Sequence, residues 1–299
     1  MTDPGTPKIP QLSSLRLGLA QMTSSNRHET NIATVQELAQ KAAESGAQML
    51  ALPEAAGLMN RDLQTARKSV VLEDADPFLA ACCQLAKTHG LWVQTGSTPV
   101  LDPVDGRFRN RAHLINPDGE IMARYDKIHL FDVDLPGEPP RRESDRYAPG
   151  TRAEIAFSPW GPVGMSVCYD LRFPHLYRNY AKLGATLLFV PSAFALSTGA
   201  AHWEVLLRAR AIENGCFVIA AAQSGQHDDG RETWGHSLVI DPWGRVLCDM
   251  EKQSGLAVVD LDMKAVDTAR RAVPSLQNER NYTPATQPAP PRRETAPLT

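Results

Sequence analysis

The chain has 299 residues, 42% hydrophobic and 22% charged, with 31 basic against 34 acidic side chains and a net charge of −3. This is ordinary globular composition: long enough to bury a normal core without staples or metals, with no basic stripe for nucleic acid and no acidic solvating tail. The five cysteines, Cys82, Cys83, Cys168, Cys216 and Cys248, are irregularly spaced and give neither a disulfide framework nor a zinc pattern.

In chain order, Met1 to Ser14 is Pro-rich and polar, with no apolar signal core, and no later run approaches a membrane span. A reduced, cytoplasmic protein without a membrane partner is expected. Leu15 to Ala20 reads as a strand. A helix with Ile32, Val35, Ala39 and Ala42 on one face follows and stops at Gly46. Met49 to Leu52 is the next strand. A second helix carries Phe78, Cys82, Leu85 and Ala86 and stops near Gly90, and Leu91 to Val93 resumes the sheet.

Further on, Arg111–Ile115 and Ile121–Tyr125 flank Asn116-Pro117-Asp118-Gly119, an antiparallel hairpin. Alternation returns with a strand at Gly164 to Cys168, a helix from about Pro174, and a strand at Leu187 to Val190. A helix from Ala201 to Asn214 ends at Gly215, Cys216 to Ala221 is a buried strand, and a second hairpin closes around Asp241-Pro242-Trp243-Gly244. Helices between strands, plus two hairpins, predict mixed sheets covered by helices in one domain over 12–275. The Pro-rich stretch 283–299 is expected to be disordered.

Three strand ends carry chemistry. Cys168 closes the apolar run from Pro162 and opens the polar turn Tyr169-Asp170-Leu171-Arg172. A thiol alone is more often core, but a nucleophile needs a base and an oxyanion donor, and Glu54 and Lys127 stand at similar strand ends. Glu54 alone would suit a helix N-terminus, and Lys127 alone a surface lysine. Together they form a catalytic set, with the Tyr169 N–H as a further oxyanion donor. Burial is expected to raise the Glu54 pKa, offset by Lys127. A Cys–His arrangement with His129, His202 or His236 has no readable orienting group, so the histidines read as structural, and no metal or cofactor is expected.

Leu52-Pro53-Glu54, Tyr125-Asp126-Lys127-Ile128-His129-Leu130-Phe131 and Val167-Cys168-Tyr169-Asp170-Leu171-Arg172-Phe173-Pro174, in this order, resemble the nitrilase superfamily of carbon–nitrogen hydrolases. The resemblance implies a four-layer αββα sandwich, subunits paired through helices into a homodimer or homotetramer, and a Glu–Lys–Cys catalytic set. It also implies that Glu143, otherwise a solvated loop charge, orients the lysine and the substrate. The segments Pro191–Phe194, Thr198–Asn214 and Trp234–Gly244 resemble the deaminated-glutathione amidase branch. That points to hydrolysis of a small-molecule amide through a thioester, giving 2-oxoglutarate and cysteinylglycine. Arg172 is expected to hold a substrate carboxylate, or else to pair with Asp170; Phe194 and Thr198 are expected to line the acyl pocket, or else to pack a loop. The alternatives are an ω-amidase acting on 2-oxoglutaramate, a true nitrilase, and a non-catalytic partner-binding subunit of the same fold.

Overall fold

In the computed structural model, which describes residues 12–135, 137 and 139–285, β1 (Ser14–Gln21) leads through α1 (His28–Glu44) to β2 (Met49–Ala51). The short α2 (Leu63–Ser69) and then α3 (Pro77–His89) lead on to β3 (Trp92–Gln94). These strands run parallel, Leu17 opposite Met49 and Met49 opposite Trp92. α1 buries Val35, Leu38, Ala39 and Ala42, the i, i+3, i+4, i+7 stripe of a helix lying on a sheet. α3 is bounded chemically: the Asp76 side chain accepts the Leu79 N–H, Pro77 opens the first turn, and Gly90 at φ +64° ends it. β4 (Thr98–Leu101), β5 (Phe108–Ile115) and β6 (Ile121–Asp126) continue the sheet antiparallel, β5 and β6 forming the expected hairpin.

A two-stranded ribbon, β7 (Asp132–Val133) with β8 (Arg141–Arg142), precedes the second half. There β9 (Ile155–Ser158), β10 (Gly161–Met165), α4 (Pro174–Lys182), β11 (Leu187–Phe189), α5 (Leu196–Asn214) and β12 (Phe217–Ala220) follow in order. β10, β11 and β12 are parallel neighbours. The ribbon β13 (Ser224–Gln226) with β14 (Glu232–Trp234) leads to β15 (Leu238–Ile240) and β16 (Val246–Asp249), the second expected hairpin. The chain then returns: β17 (Gly255–Asp262) pairs antiparallel with all of β1, and α6 (Lys264–Ala272) follows.

The period of two along each strand decides the layering. Leu15, Leu17, Leu19, Met49 and Ala51 share a core with Val163, Met165, Phe189 and Ile219 of the second sheet. Their alternates Ala20, Leu50 and Leu52 pack instead with Leu38, Phe78 and Leu85 of α1 and α3. Two sheets face each other, with α1 and α3 outside one and α4 and α5 outside the other, so the fold is the four-layer αββα sandwich of the nitrilase type. Among the described residues no helix is long and apolar enough to cross a membrane. The tail expected to be disordered lies outside the described residues from 286 onward.

Two boundaries differ from expectation. α5 begins at Leu196, not Ala201, although Gly199 weakens that turn. The turn is held by packing: a Cβ on Gly199 would stand 2.2 Å from Trp234 Cγ. β10 stops at Met165, and Cys168 opens a 3₁₀ turn reaching Arg172. β17 and α6 were not anticipated. β17 is a half-exposed edge strand, so its apolar residues do not alternate cleanly.

Candidate active site

Glu54 stands three residues beyond the end of β2, Lys127 directly after β6 and Cys168 three residues after β10. Sites in layered α/β folds gather outside strand ends because loops there converge without disturbing the core. The Glu54 segment is pressed from behind by Gly96 at φ +69°, where a Cβ would lie 1.8 Å from the Pro53 carbonyl oxygen. Only glycine permits that approach. Among the described residues four non-glycines have positive φ; Cys168 (φ 50°) is one and Ala55 (φ 55°), beside Glu54, is another. Such backbone costs about 1–3 kcal/mol and persists where the surroundings over-determine it.

The carboxyl of Glu54 is held from three sides. Its Oε1 accepts from Lys127 Nζ at 3.0 Å and Asn110 Nδ2 at 3.0 Å, and its Oε2 accepts the Ala193 N–H at 2.8 Å. Lys127 Nζ also donates to both oxygens of Glu143, at 2.8 and 3.1 Å, and Glu143 accepts the Phe131 N–H at 2.7 Å. The Cys168 N–H donates to the Pro191 carbonyl at 2.9 Å. Asp170, wholly buried, fastens that turn to the strand leading to Lys127. It accepts the Val167 N–H at 2.9 Å, Tyr125 Oη at 2.6 Å and a bond from His129 Nδ1 at 2.6 Å.

Burial is the largest influence on all three charges. It alone would raise Glu54, but the Lys127 ammonium and hydrogen bonds from Cys168, Lys127 and Asn110 outweigh it, and the carboxyl titrates below its usual 4.5. The expectation of a raised Glu54 is thereby corrected. Burial and then the Glu54 charge push the Cys168 thiol well above 9.0, with Lys127 opposing. Burial lowers Lys127, but Glu143 and Glu54 more than reverse it, so the ammonium is kept. The resting site is therefore a neutral thiol against an ionised carboxylate, the arrangement for general-base deprotonation rather than a preformed thiolate.

A base held below 4.5 is lost only as pH falls through that depressed value, and a thiol and ammonium held high titrate above 9.0. A kcat/KM profile is expected to stay level between about pH 5 and 9. An acid limb centred near pH 6–7 would show a protonated Glu54 at rest, contrary to this arrangement.

These groups open into a cleft of about 440 Å³, within the ~300–1,000 Å³ of small-molecule sites. Glu54, Lys127, Cys168 and Glu143 line it, as do Tyr169, Phe194 and Thr198. Arg172 does not. Its guanidinium lies 5.8 Å from the ring centres of both Tyr169 and Phe194 and meets His202 Nδ1 at 3.3 Å. The 3₁₀ turn thus sets this side chain against the two rings and His202 rather than against Asp170. His129 bonds Asp170 and His236 bonds Asp249, and neither lines the cleft.

Sequence reasoning missed Asn110, the Ala193 N–H and the arginines of the rim: Arg61, Arg141, Arg142, Arg146 and Arg231. Asn110 had a signal, a polar residue on the buried face of β5 between Phe108 and Ala112. Among the described residues no group of three or more His, Cys, Asp or Glu is placed to hold a metal.

Residues 16–271 match the family described as carbon-nitrogen hydrolase. The chain is 38% identical over 276 residues to a deaminated glutathione amidase of Dictyostelium discoideum, covering 89% of this chain and 95% of that one. It is 40% identical over 269 residues to the deaminated glutathione amidase of Homo sapiens, covering 88% and 82%. Among solved structures, the C. elegans NitFhit protein superposes with a TM-score of 0.84 at 36% identity, over 90% of this chain and 66% of that one. The chain thus spans just under two thirds of that longer protein.

Proposed function

The chain belongs to the carbon-nitrogen hydrolase family, and from that premise we propose that it is an amidase working through a thioester on Cys168, with deaminated glutathione as its substrate. The observation that carries the reading is the neutral Cys168 thiol set against the ionised Glu54 carboxylate, with Lys127 bonded to that carboxylate, inside one cleft.

Cys168 Sγ attacks the amide carbonyl as its proton passes to Glu54. The carbonyl oxygen gains charge opposite the Lys127 ammonium, which Glu143 holds from its other side. Glu54 returns the proton to the departing nitrogen, the C–N bond breaks, and the C–S bond of the thioester remains. Water, deprotonated by Glu54, then attacks the thioester, and the proton goes back to Sγ as the acid leaves. Asn110 and the Ala193 N–H keep Glu54 in place through both halves. Glu143 acts here as a positioning residue.

The substrate part rests on the relatives' names and on the walls. Deaminated glutathione carries a carboxylate at each end, with two methylenes between its keto group and the scissile amide. Phe131, Tyr169 and Phe194 suit those methylenes, and the arginine rim suits the carboxylates. Glutathione differs by an ammonium where the keto group stands, which meets like charge. Deaminated glutathione is therefore expected to exceed glutathione in kcat/KM by at least ~10²-fold, like-charge contacts costing several kcal/mol. Assaying released cysteinylglycine from both, with 2-oxoglutaramate and a simple nitrile alongside, tests this. Equal values for the two peptides would remove the substrate while leaving the amidase.

A further inference from the structure

The rim arginines are an unusual gathering. Arg61 follows the Glu54 segment, Arg146 follows Glu143, and Arg231 sits in the turn between β13 and β14, yet all three line one cleft. The charged neighbours of Arg61 include Arg231, Asp229, Arg141 and Arg146; burial and then the Arg231 charge lower its pKa, and Asp229 opposes. Asp229 is already engaged by Arg231 Nη2 at 2.7 Å. Arg146 is built in: its Nη1 donates to the Arg61 carbonyl at 2.6 Å and its Nη2 to the Asn60 carbonyl at 2.8 Å. The Nε atoms of both Arg146 and Arg231 are buried with no acceptor. A buried donor on a charged group without an acceptor is costly, and the fold spends backbone carbonyls holding like charges together. Three guanidinium groups on one cleft wall, with Asp229 already paired to Arg231, suit an anion in the cleft.

We propose that Arg61 and Arg231, braced by Arg146, form a carboxylate-binding subsite on the cleft wall that anchors the substrate by a carboxylate away from the scissile amide. The guanidinium fork matches a carboxylate edge with two parallel bonds, and the three arginines arrive from separate segments, so the anchor is positioned before substrate enters. The inference deepens the proposed function and rests on that cleft being the amidase site. The carboxylate has two sources, the 2-oxo acid end of the acyl part or the C-terminus of the leaving peptide.

The test uses the full chain and glutarate, a plain dicarboxylate, titrated by calorimetry, so that binding is read without turnover. Arg61→Met and Arg231→Met are each expected to weaken glutarate at least ~10-fold, the size of a lost charge-assisted bond, with Arg231→Lys recovering part. Affinity in the unmodified protein is expected to fall with added salt. No glutarate binding, or unchanged affinity in both folded methionine variants, would overturn the subsite. If glutarate binds as expected but deaminated glutathione is no better a substrate than glutathione, the substrate assignment fails and the subsite stands. Kinetic arms locate the carboxylate. A variant-induced rise in KM for 2-oxoglutaramate assigns the acyl end, and a rise confined to deaminated glutathione assigns the leaving peptide.

Discussion

Cys168→Ala will lose turnover on every amide, by a factor on the order of 10⁶, while the protein keeps its fold. The factor is the scale seen when a covalent nucleophile is removed and only binding and oxyanion stabilisation remain. The fold survives because the side chain lost is small, and Cys168 is fixed by its backbone, through the N–H to Pro191 and the Asp170 brace, rather than by its sulfur. Thermal unfolding will shift by little, and alanine at φ 50° meets the same strain as cysteine. Retained hydrolysis in the purified variant would sink the thioester route. Labelling supplies an independent reading. Cys82 and Cys216 are fully buried, and burial raises both thiols, Cys216 to about 11. Cys83 and Cys248 are half-buried with thiols also raised, and neither lines the cleft. Iodoacetamide, itself a small amide, will therefore alkylate Cys168 first, and the rate will depend on Glu54, since a thiol held neutral reacts only as its base takes the proton.

The parts of this site visible in the sequence were those that local pattern announces. An apolar run broken by one chemical residue marks a strand end, and Glu54 and Cys168 each break such a run, while Lys127 closes a mixed strand after Tyr125-Asp126. Glu143 was visible only through resemblance, because nothing in Arg142-Glu143-Ser144-Asp145 distinguishes a buried acid from a solvated one. The residues alone announce mixed sheets covered by helices, and the four layers come only with the resemblance; that alternate residues of β1 and β2 face different cores is seen in the folded chain. Arg172 is read as a carboxylate holder from its place four residues after the nucleophile, a count that says nothing of where a 3₁₀ turn sends the side chain. Its guanidinium lies over the Tyr169 and Phe194 rings, and the arginines that line the cleft come from far apart in the chain. Arg61 and Arg231 carry no periodicity and no motif, so only the folded chain brings them together.

Lys127→Met will cost more than the loss of a single oxyanion donor. The ammonium sits between two carboxylates, 3.0 Å from Glu54 and 2.8 Å from Glu143, and is nearly wholly buried. Removing it takes away the charge facing the developing oxyanion, an effect of about 10²–10³ in kcat. It also removes the main influence holding Glu54 ionised, so burial then dominates and the Glu54 pKa rises. The two losses compound at neutral pH: the base is partly protonated before reaction, and the oxyanion is unsupported. Single-turnover acylation is expected to slow by at least ~10³-fold, with an acid limb moved above 4.5, the reverse of the unmodified profile. Glu54→Gln separates the two losses. It keeps the shape and the amide can still meet Asn110 and Lys127, but no base remains, so acylation should slow at least ~10²-fold with no limb on the acid side. A Lys127→Met enzyme that is slow yet shows an unmoved acid limb would mean that Lys127 acts on the oxyanion alone and that Glu54 is held ionised by its hydrogen bonds. Normal acylation in either variant would dismantle the assignment of base and cation, leaving Cys168 to be activated by something else in the cleft.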